Sequence, residues 1–324
     1  MELIRGLHNL RPRHRGCVAT IGAFDGVHHG HRAVIAHLLE KSQELGLPST
    51  VVVFEPLPRE YFAPLEAPAR LMSFREKFRA LKELGVDQLL RIKFNESLRT
   101  MAADSFIEEV LVDGLGVRYI VVGDDLRFGH DREGDFNLIR EYSSRFGYQV
   151  MHTDTLGVDG ERVSSTRIRE LLCDADFAGA EELLGKPYSI SGKVVYGQQY
   201  GRRIGVPTAN LELHRYRSAL NGVYAVEVLG LGGVAIPGVA NVGTRPTVGD
   251  RIKAILEVHM LDFDRDIYGK SIEVVFRHKI RDERKFDSFD ELKQNIARDV
   301  ETGRRFFGLP HRAAESEALQ SDQS

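Results

Sequence analysis

Residues 20–32 read Thr-Ile-Gly-Ala-Phe-Asp-Gly-Val-His-His-Gly-His-Arg. Upstream, Cys17–Ile21 is a short apolar run of strand formers; downstream, Ala33, Val34, Ala36, His37, Leu38 and Leu39 recur at helical spacing. The stretch is therefore a crossing from strand to helix. The start of a helix offers unpaired backbone N–H groups and the positive end of the helix dipole, a ready site for phosphate. Gly22, Gly26 and Gly30 permit tight turns and close approach of a ligand. His28 and His31 stand three apart and project the same way from the first turn. Two imidazoles there can donate to a triphosphate and to the charge that builds as its α–β bond breaks. Taken alone, the pair would equally suit a zinc site or a plain surface; the strand, the glycines and the helix favour nucleotide.

Outward from this crossing, strand and helix patterns alternate to about residue 184. Thr50–Phe54, Gln88–Ile92, Val117–Val122 and Tyr148–His152 read as strands; Phe74–Leu84, Ala102–Leu115 and Phe136–Phe146 read as helices. Such alternation predicts a doubly wound α/β sheet, with ligands at the carboxyl ends of its strands. Three further stretches fall at such positions. Phe54-Glu55-Pro56-Leu57-Pro58 leaves the second strand stiffened by prolines. Gly123–Gly129, carrying Asp125 and Phe128, follows Val122 and is either a substrate loop or a solvated acidic turn. Val163-Ser164-Ser165-Thr166-Arg167 opens a helix, where hydroxyls cap and an arginine adds a second phosphate clamp.

Around Leu184-Gly185-Lys186-Pro187 the pattern changes to short strands separated by Gly, Pro and Asn turns. Tyr188–Val195, Gly222–Val228, Gly238–Val242, Ile252–Leu261 and Ser271–Phe276 predict a small antiparallel β-barrel, followed by a helix over Ser288–Phe307. In Gly205-Val206-Pro207-Thr208-Ala209-Asn210 the proline favours extended backbone, so Thr208 and Asn210 point to one side. Two such oxygens suit Mg²⁺ that also touches nucleotide phosphates. Gly197, Gly201 and Gly205, with Arg202 between, could form a basic loop over those phosphates; a Gly-rich barrel loop also needs no function. Period-2 alternation in Ile255–Leu261 puts Leu256, Val258 and Met260 on one face and Glu257 with His259 on the other. Glu257 is a candidate general base, or simply an exposed strand residue.

At 324 residues two domains are expected, and 42% hydrophobic content supports ordinary cores. A net charge of −3 argues against a general nucleic-acid or anionic-membrane partner. The two cysteines, Cys17 and Cys173, make no metal or redox pattern. No run approaches the ~20 apolar residues of a membrane span, so the expected location is the cytoplasm.

The first motif resembles the H-x-G-H signature of nucleotidyltransferases in the G-x-F-D-G-V-H-x-G-H form of the bacterial bifunctional riboflavin kinase/FMN adenylyltransferases. Gly22, Phe24, Asp25, Gly26, His28, Gly30 and His31 match it, with Ala23 where Asn is usual. Ser165, Thr166 and Arg167 match the family's S-S-T-R-I-R motif, which implies a grip on the leaving pyrophosphate. Gly123, Asp125 and Phe128 match its loop where nucleotide and flavin meet, with Leu126 for Phe; Leu57 replaces a histidine between prolines. In the second half, G-R-x-x-G-x-P-T-A-N, Asn241–Thr247, Leu256–His259, Tyr268-Gly269 and Arg281-Asp282-Glu283 with Phe286 match the riboflavin kinase domain in order. The resemblance implies that Thr208 and Asn210 hold Mg-ATP and that Glu257 takes the proton of the ribityl 5′-hydroxyl. With the pattern break at Gly185-Lys186 it implies a domain of residues 1–185 making FAD from FMN and ATP and a kinase domain of 186–310 making FMN from riboflavin and ATP; the polar, small residues at the end predict a disordered tail of 311–324. An alternative leaves one activity live, with the other half a flavin-binding or regulatory module; Leu57 and Leu126 direct that suspicion to the adenylyl half.

Overall fold

In the computed structural model, residues 1–123, 125–153, 157–158, 161–197, 206–213, 215–246 and 252–311 are described. The chain divides into two compact units, one of Met1–Pro68 with Phe74–Arg167, the other of Ala69–Ser73 with Ile168 onward.

In the first unit the apolar runs lie side by side in one parallel sheet. Its strands are β1 (Glu2–Arg5), β2 (Val18–Ile21), β3 (Ser49–Glu55), β4 (Gln88–Lys93), β5 (Tyr119–Gly123) and β6 (Gln149–Thr153), in the order β1-β4-β3-β2-β5-β6. β2 is buried along its whole length and β3 along nearly all of it, as continuous apolar strands covered on both faces should be. The helices are α1 (His29–Leu45), α2 (Pro58–Phe62), α3 (Phe74–Glu83), α4 (Glu96–Arg99), α5 (Ala103–Ser105) and α6 (Phe136–Phe146). The doubly wound expectation holds, with two differences. β1, pairing Glu2–Arg5 with Gln88–Arg91, adds an edge strand that the sequence reading lacked. The helix expected over 102–115 winds instead as α5 followed by a π-helix, Phe106–Gly114. Its buried residues are Phe106, Ile107, Val110 and Leu111, a spacing of four and one that a wider turn keeps on one face. A two-stranded ribbon follows, β7 (Gly157–Val158) with β8 (Glu161–Arg162).

In the second unit α7 (Ser165–Cys173, from Ile168 on) and α8 (Phe177–Leu184) precede a closed antiparallel barrel. Its strands are β9 (Ser189–Val195), β10 (Ala209–Glu212), β11 (Gly222–Leu229), β12 (Ile236–Pro246), β13 (Ile252–Met260) and β14 (Ser271–Arg281), ordered β10-β13-β12-β11-β14-β9. β10 closes the ring by pairing β13 on one side and β9 on the other. The alternation read in β13 is present: Leu256, Val258 and Met260 are buried, Glu257 and His259 half-buried. Phe177 of α8 packs edge-on against Tyr224, ring centroids 5.9 Å apart, and stacks with Phe276 at 6.5 Å. The last helix, α9 (Phe289–Phe306), starts on Ser288, whose hydroxyl accepts the Glu291 N–H. It is held to the barrel by Asp299, which takes two guanidinium N–H groups of Arg281 at 2.9 and 2.7 Å. Ala69–Ser73 also belongs to this unit: Arg169 Nε donates to the Ala69 carbonyl at 2.6 Å, and Arg215 Nη1 to that of Arg70 at 3.3 Å.

Candidate active sites

The first site is built at the carboxyl end of β2. The chain leaves Ile21 and passes through a loop in which Phe24 (φ 47°) and Val27 (φ 43°) both adopt left-handed backbone. Bulky residues rarely do so, and such strain persists only where the surroundings enforce it. Both are buried, as is Asp25. His28 caps α1: its Nδ1 accepts the backbone N–H of His31 at 3.4 Å. An accepting Nδ1 leaves Nε2–H as the donor of that ring. The two imidazoles stack, centroids 3.7 Å apart and planes 20° from parallel, and Phe24 lies 5.2 Å from His31. His31 Nδ1 is sealed from solvent with no partner. Burial holds its pKa well below 6.5, and the charges of His28 and Lys77 push the same way, so the ring is neutral at pH 7.

Two distant motifs converge here. Ser165 Oγ donates to the Asp25 carbonyl at 2.9 Å, tying the hydroxyl-rich helix start to the first loop. Gly30 lies close to both: a Cβ there would meet the His28 ring at 3.3 Å and the Val163 carbonyl at 3.4 Å, a tight fit. Arg167 N–H donates to Ser164 Oγ; Thr166 is exposed and Arg167 half-buried. The Gly123 loop is divided. Asp125 is exposed, 3.7 Å from Arg162, whereas Phe128 is buried, bridged to Gly134 and 5.3 Å from Phe106. Leu126 is buried beside it, so that departure from the family pattern serves packing. Leu57 stands at the N-cap of α2 and gives no side-chain cap bond.

Two features of this unit were missed in sequence. Lys77 is 1% exposed and lies 3.4 Å from Glu55, the last residue of β3. Its signal was a lysine in register with Ala80 and Leu81 on the buried face of α3. At the ends of β3 and β4, Tyr61, Phe62 and Phe94 meet edge to face at 5.3–5.9 Å, with Phe62 61% exposed.

The second site is made by strand register. Asn210 stands opposite Glu257 in the β10–β13 ladder, and Asn241 of β12 stands opposite Glu257 on its other side. Thr208 precedes β10 by one residue. A cavity of about 300 Å³ opens here, lined by Thr208, Asn241, Glu257, His259, Arg281 and Phe286 among others, with Leu292, Ile296 and Val300 of α9 as an apolar wall. Gly197 packs on the Asn210 amide so closely that any Cβ would overlap it. The structure thus brings Thr208, Asn210, Glu257 and Gly197 together; Gly201, Arg202 and Gly205 lie outside the described residues. Among the described residues no cluster of three His, Cys, Asp or Glu could hold a metal. The oxygens of Thr208 and Asn210 beside a carboxylate do fit Mg²⁺, which keeps waters and phosphate ligands and needs few from protein.

An FAD synthetase family model matches residues 10–167 and a riboflavin kinase model residues 184–307. The bifunctional riboflavin kinase/FMN adenylyltransferase of Pseudomonas fluorescens is 52% identical, over 94% of this chain and 97% of its own. That of Escherichia coli K12 is also 52% identical, over 95% and 99%. A crystal structure titled as a macrolide-efflux protein from Streptococcus pneumoniae aligns with a TM-score of 0.72 at 30% identity, covering 92% of this chain and 97% of that one. Among the described residues no helix is long and apolar enough to cross a membrane.

Proposed function

The chain belongs to the bifunctional riboflavin kinase/FMN adenylyltransferases, and from that premise we propose how its residues divide the work. It phosphorylates riboflavin with ATP to give FMN and ADP, then transfers AMP from a second ATP to FMN to give FAD and diphosphate. A family model matches most of each half, residues 10–167 and 184–307, which supports two live activities rather than one.

In the barrel, Glu257 accepts the proton of the ribityl 5′-hydroxyl as that oxygen attacks the γ-phosphorus of ATP. Thr208 and Asn210 would hold Mg²⁺, which when bound neutralises charge on the nucleotide phosphates. The observation that carries this reading is register: Asn210 and Asn241 flank Glu257 across both neighbouring ladders, and Thr208 and Glu257 line one cavity. The apolar α9 wall and Phe286 suit a flat flavin ring.

In the α/β unit, the α1 start with Gly22, Phe24, Asp25 and Gly30 receives the triphosphate. The Nε2–H of His28 and the neutral His31 ring donate to the phosphate oxygens as the α–β bond lengthens. Ser165 fixes the loop through Asp25, while Thr166 and Arg167 reach the leaving diphosphate. The Gly123 loop with Asp125 borders the substrates, and Phe128 supports it from below. The exposed ring of Phe62, backed by the half-buried Tyr61 and Phe94, offers a face on which the flavin of FMN stacks.

We place the catalytic boundary at 185/186, with cytoplasm as the working compartment. A chain of 186–324 is expected to phosphorylate riboflavin, and one of 168–324, which keeps Phe177 on Tyr224 and Phe276, to do so with a higher melting temperature. A chain of 1–185 is expected to make FAD only when given FMN. Incubating the full chain with riboflavin and Mg-ATP and separating the flavins tests the whole reading: FMN then FAD should form, with ADP and diphosphate.

A further inference from the structure

The β10–β13 ladder begins at Ala209, opposite Val258. Continuing that register sets Thr208 level with His259. One residue earlier stands Pro207, which has no N–H to give, so the backbone pairing cannot be extended from that side. A side chain makes the connection instead: His259 Nδ1 lies 2.8 Å from the Pro207 carbonyl oxygen. A carbonyl only accepts, so Nδ1 carries the proton, in the neutral ring as in the charged one.

This bond completes a constraint that the proline begins. The pyrrolidine ring fixes φ of Pro207 near −65°. Holding its carbonyl oxygen then fixes the plane of the peptide leading into Thr208. With both set, the hydroxyl of Thr208 has one backbone from which to project into the cavity that Glu257 and His259 also line. We propose that His259 is a positioning residue for nucleotide binding in the barrel: its Nδ1–H clamps Pro207 and so presets Thr208 at the cavity that the general base also lines. The inference rests on the reading of Thr208 and Asn210 as the groups that hold the metal-bound nucleotide. Its physical basis is preorganisation, since a ligand arm ordered before binding need not be ordered by it.

The test uses the full chain and calorimetric titration with Mg-ADP, a binding readout independent of turnover. An asparagine at 259 puts an amide N–H where Nδ1 stands, and a glutamine puts it where Nε2 stands. His259→Asn should bind Mg-ADP within about twofold of the parent. His259→Gln and His259→Ala should bind about tenfold more weakly, the loss of roughly one hydrogen bond. The variants differ at one barrel position, so any change in the isotherm belongs to the barrel. If Gln and Ala bind like the parent while Thr208→Ala weakens binding, the clamp is refuted and the Thr208 reading stands. If Asn is as weak as Ala, something other than Nδ1–H matters and the proposal fails. If Thr208→Ala binds like the parent, the reading beneath the proposal falls, and the proposal with it. Should the Ala variant not fold by thermal melting, the Asn–Gln pair, which keeps side-chain bulk, decides.

Discussion

The two candidate sites are made in opposite ways. At the start of α1 most of the machinery comes from one contiguous loop, with strained backbone at Phe24 and Val27 and a histidine that caps its own helix. In the barrel no stretch is sufficient by itself. Thr208, Asn210, Asn241 and Glu257 come from three segments and meet because six strands close with one register. A loop site concentrates its information in sequence, whereas a register site spreads it. The same difference predicts how each fails: the loop site through its donors and their burial, the barrel site through anything that shifts one strand against the next.

The largest separation should come from Glu257→Gln, which keeps shape but cannot accept a proton. General bases typically contribute 10²–10⁴-fold. Initial rates of FMN formation should fall by about that range while FAD formation from FMN stays at the parental rate. A parental kinase rate would make Glu257 a mere strand residue.

Next in size is the loop site. Replacing His28 or His31 by Ala removes a preorganised donor, a loss typically of about 2.7–4 kcal/mol. Steady-state FAD formation from FMN should drop by roughly 10²–10³ with riboflavin phosphorylation unchanged. FAD formation within twofold of the parent in the double variant contradicts the assignment.

A smaller effect probes the placement of Asn210 without removing its amide. Gly197→Ala places a methyl into the Asn210 amide, so the amide must move. The Mg²⁺ concentration for half-maximal FMN formation should rise about tenfold, the scale of one lost interaction. That of FAD formation should not move. Overlaid titrations for parent and variant would show that Asn210 serves only the turn.

The smallest effect concerns burial in the loop site. His31 is held below 6.5 in the folded chain, so between that value and its depressed folded value the unfolded chain binds a proton that the folded chain does not. Stability is therefore full above pH 6.5 and falls as the pH drops below it, by at most about 1.4 kcal/mol per pH unit. Urea unfolding of the parent should show this acid-side slope, and His31→Gln should lessen it. Equal slopes would mean that the ring titrates normally.

How much was legible follows the same division. The strand–loop–helix crossing, the parallel sheet and the barrel all carry strong local periodicity, and the structure has them. β10 was absent from the strand reading because four residues after a proline carry too little alternation to count, yet they close the barrel. β1 went unread for the same reason of length. The bond between Ser165 and Asp25 spans 140 residues, and no spacing rule reaches that far. Lys77 could have been found, since a lysine on the apolar stripe of a helix asks for a buried partner. Its partner, Glu55, is set only by the packing of α3 on the end of β3. His259 was read onto the right face of β13, but its tie to Pro207 needs the folded register.

The central claim is that one chain holds two chemically separate sites, and one chromatographic time course tests it most directly. Glu257→Gln and the His28→Ala, His31→Ala double variant are each given riboflavin with Mg-ATP and, in parallel, FMN with Mg-ATP. The account predicts that the first leaves riboflavin almost unconverted yet turns FMN into FAD at the parental rate, and that the second accumulates FMN with almost no FAD from either start. Loss of both conversions in either variant would contradict it.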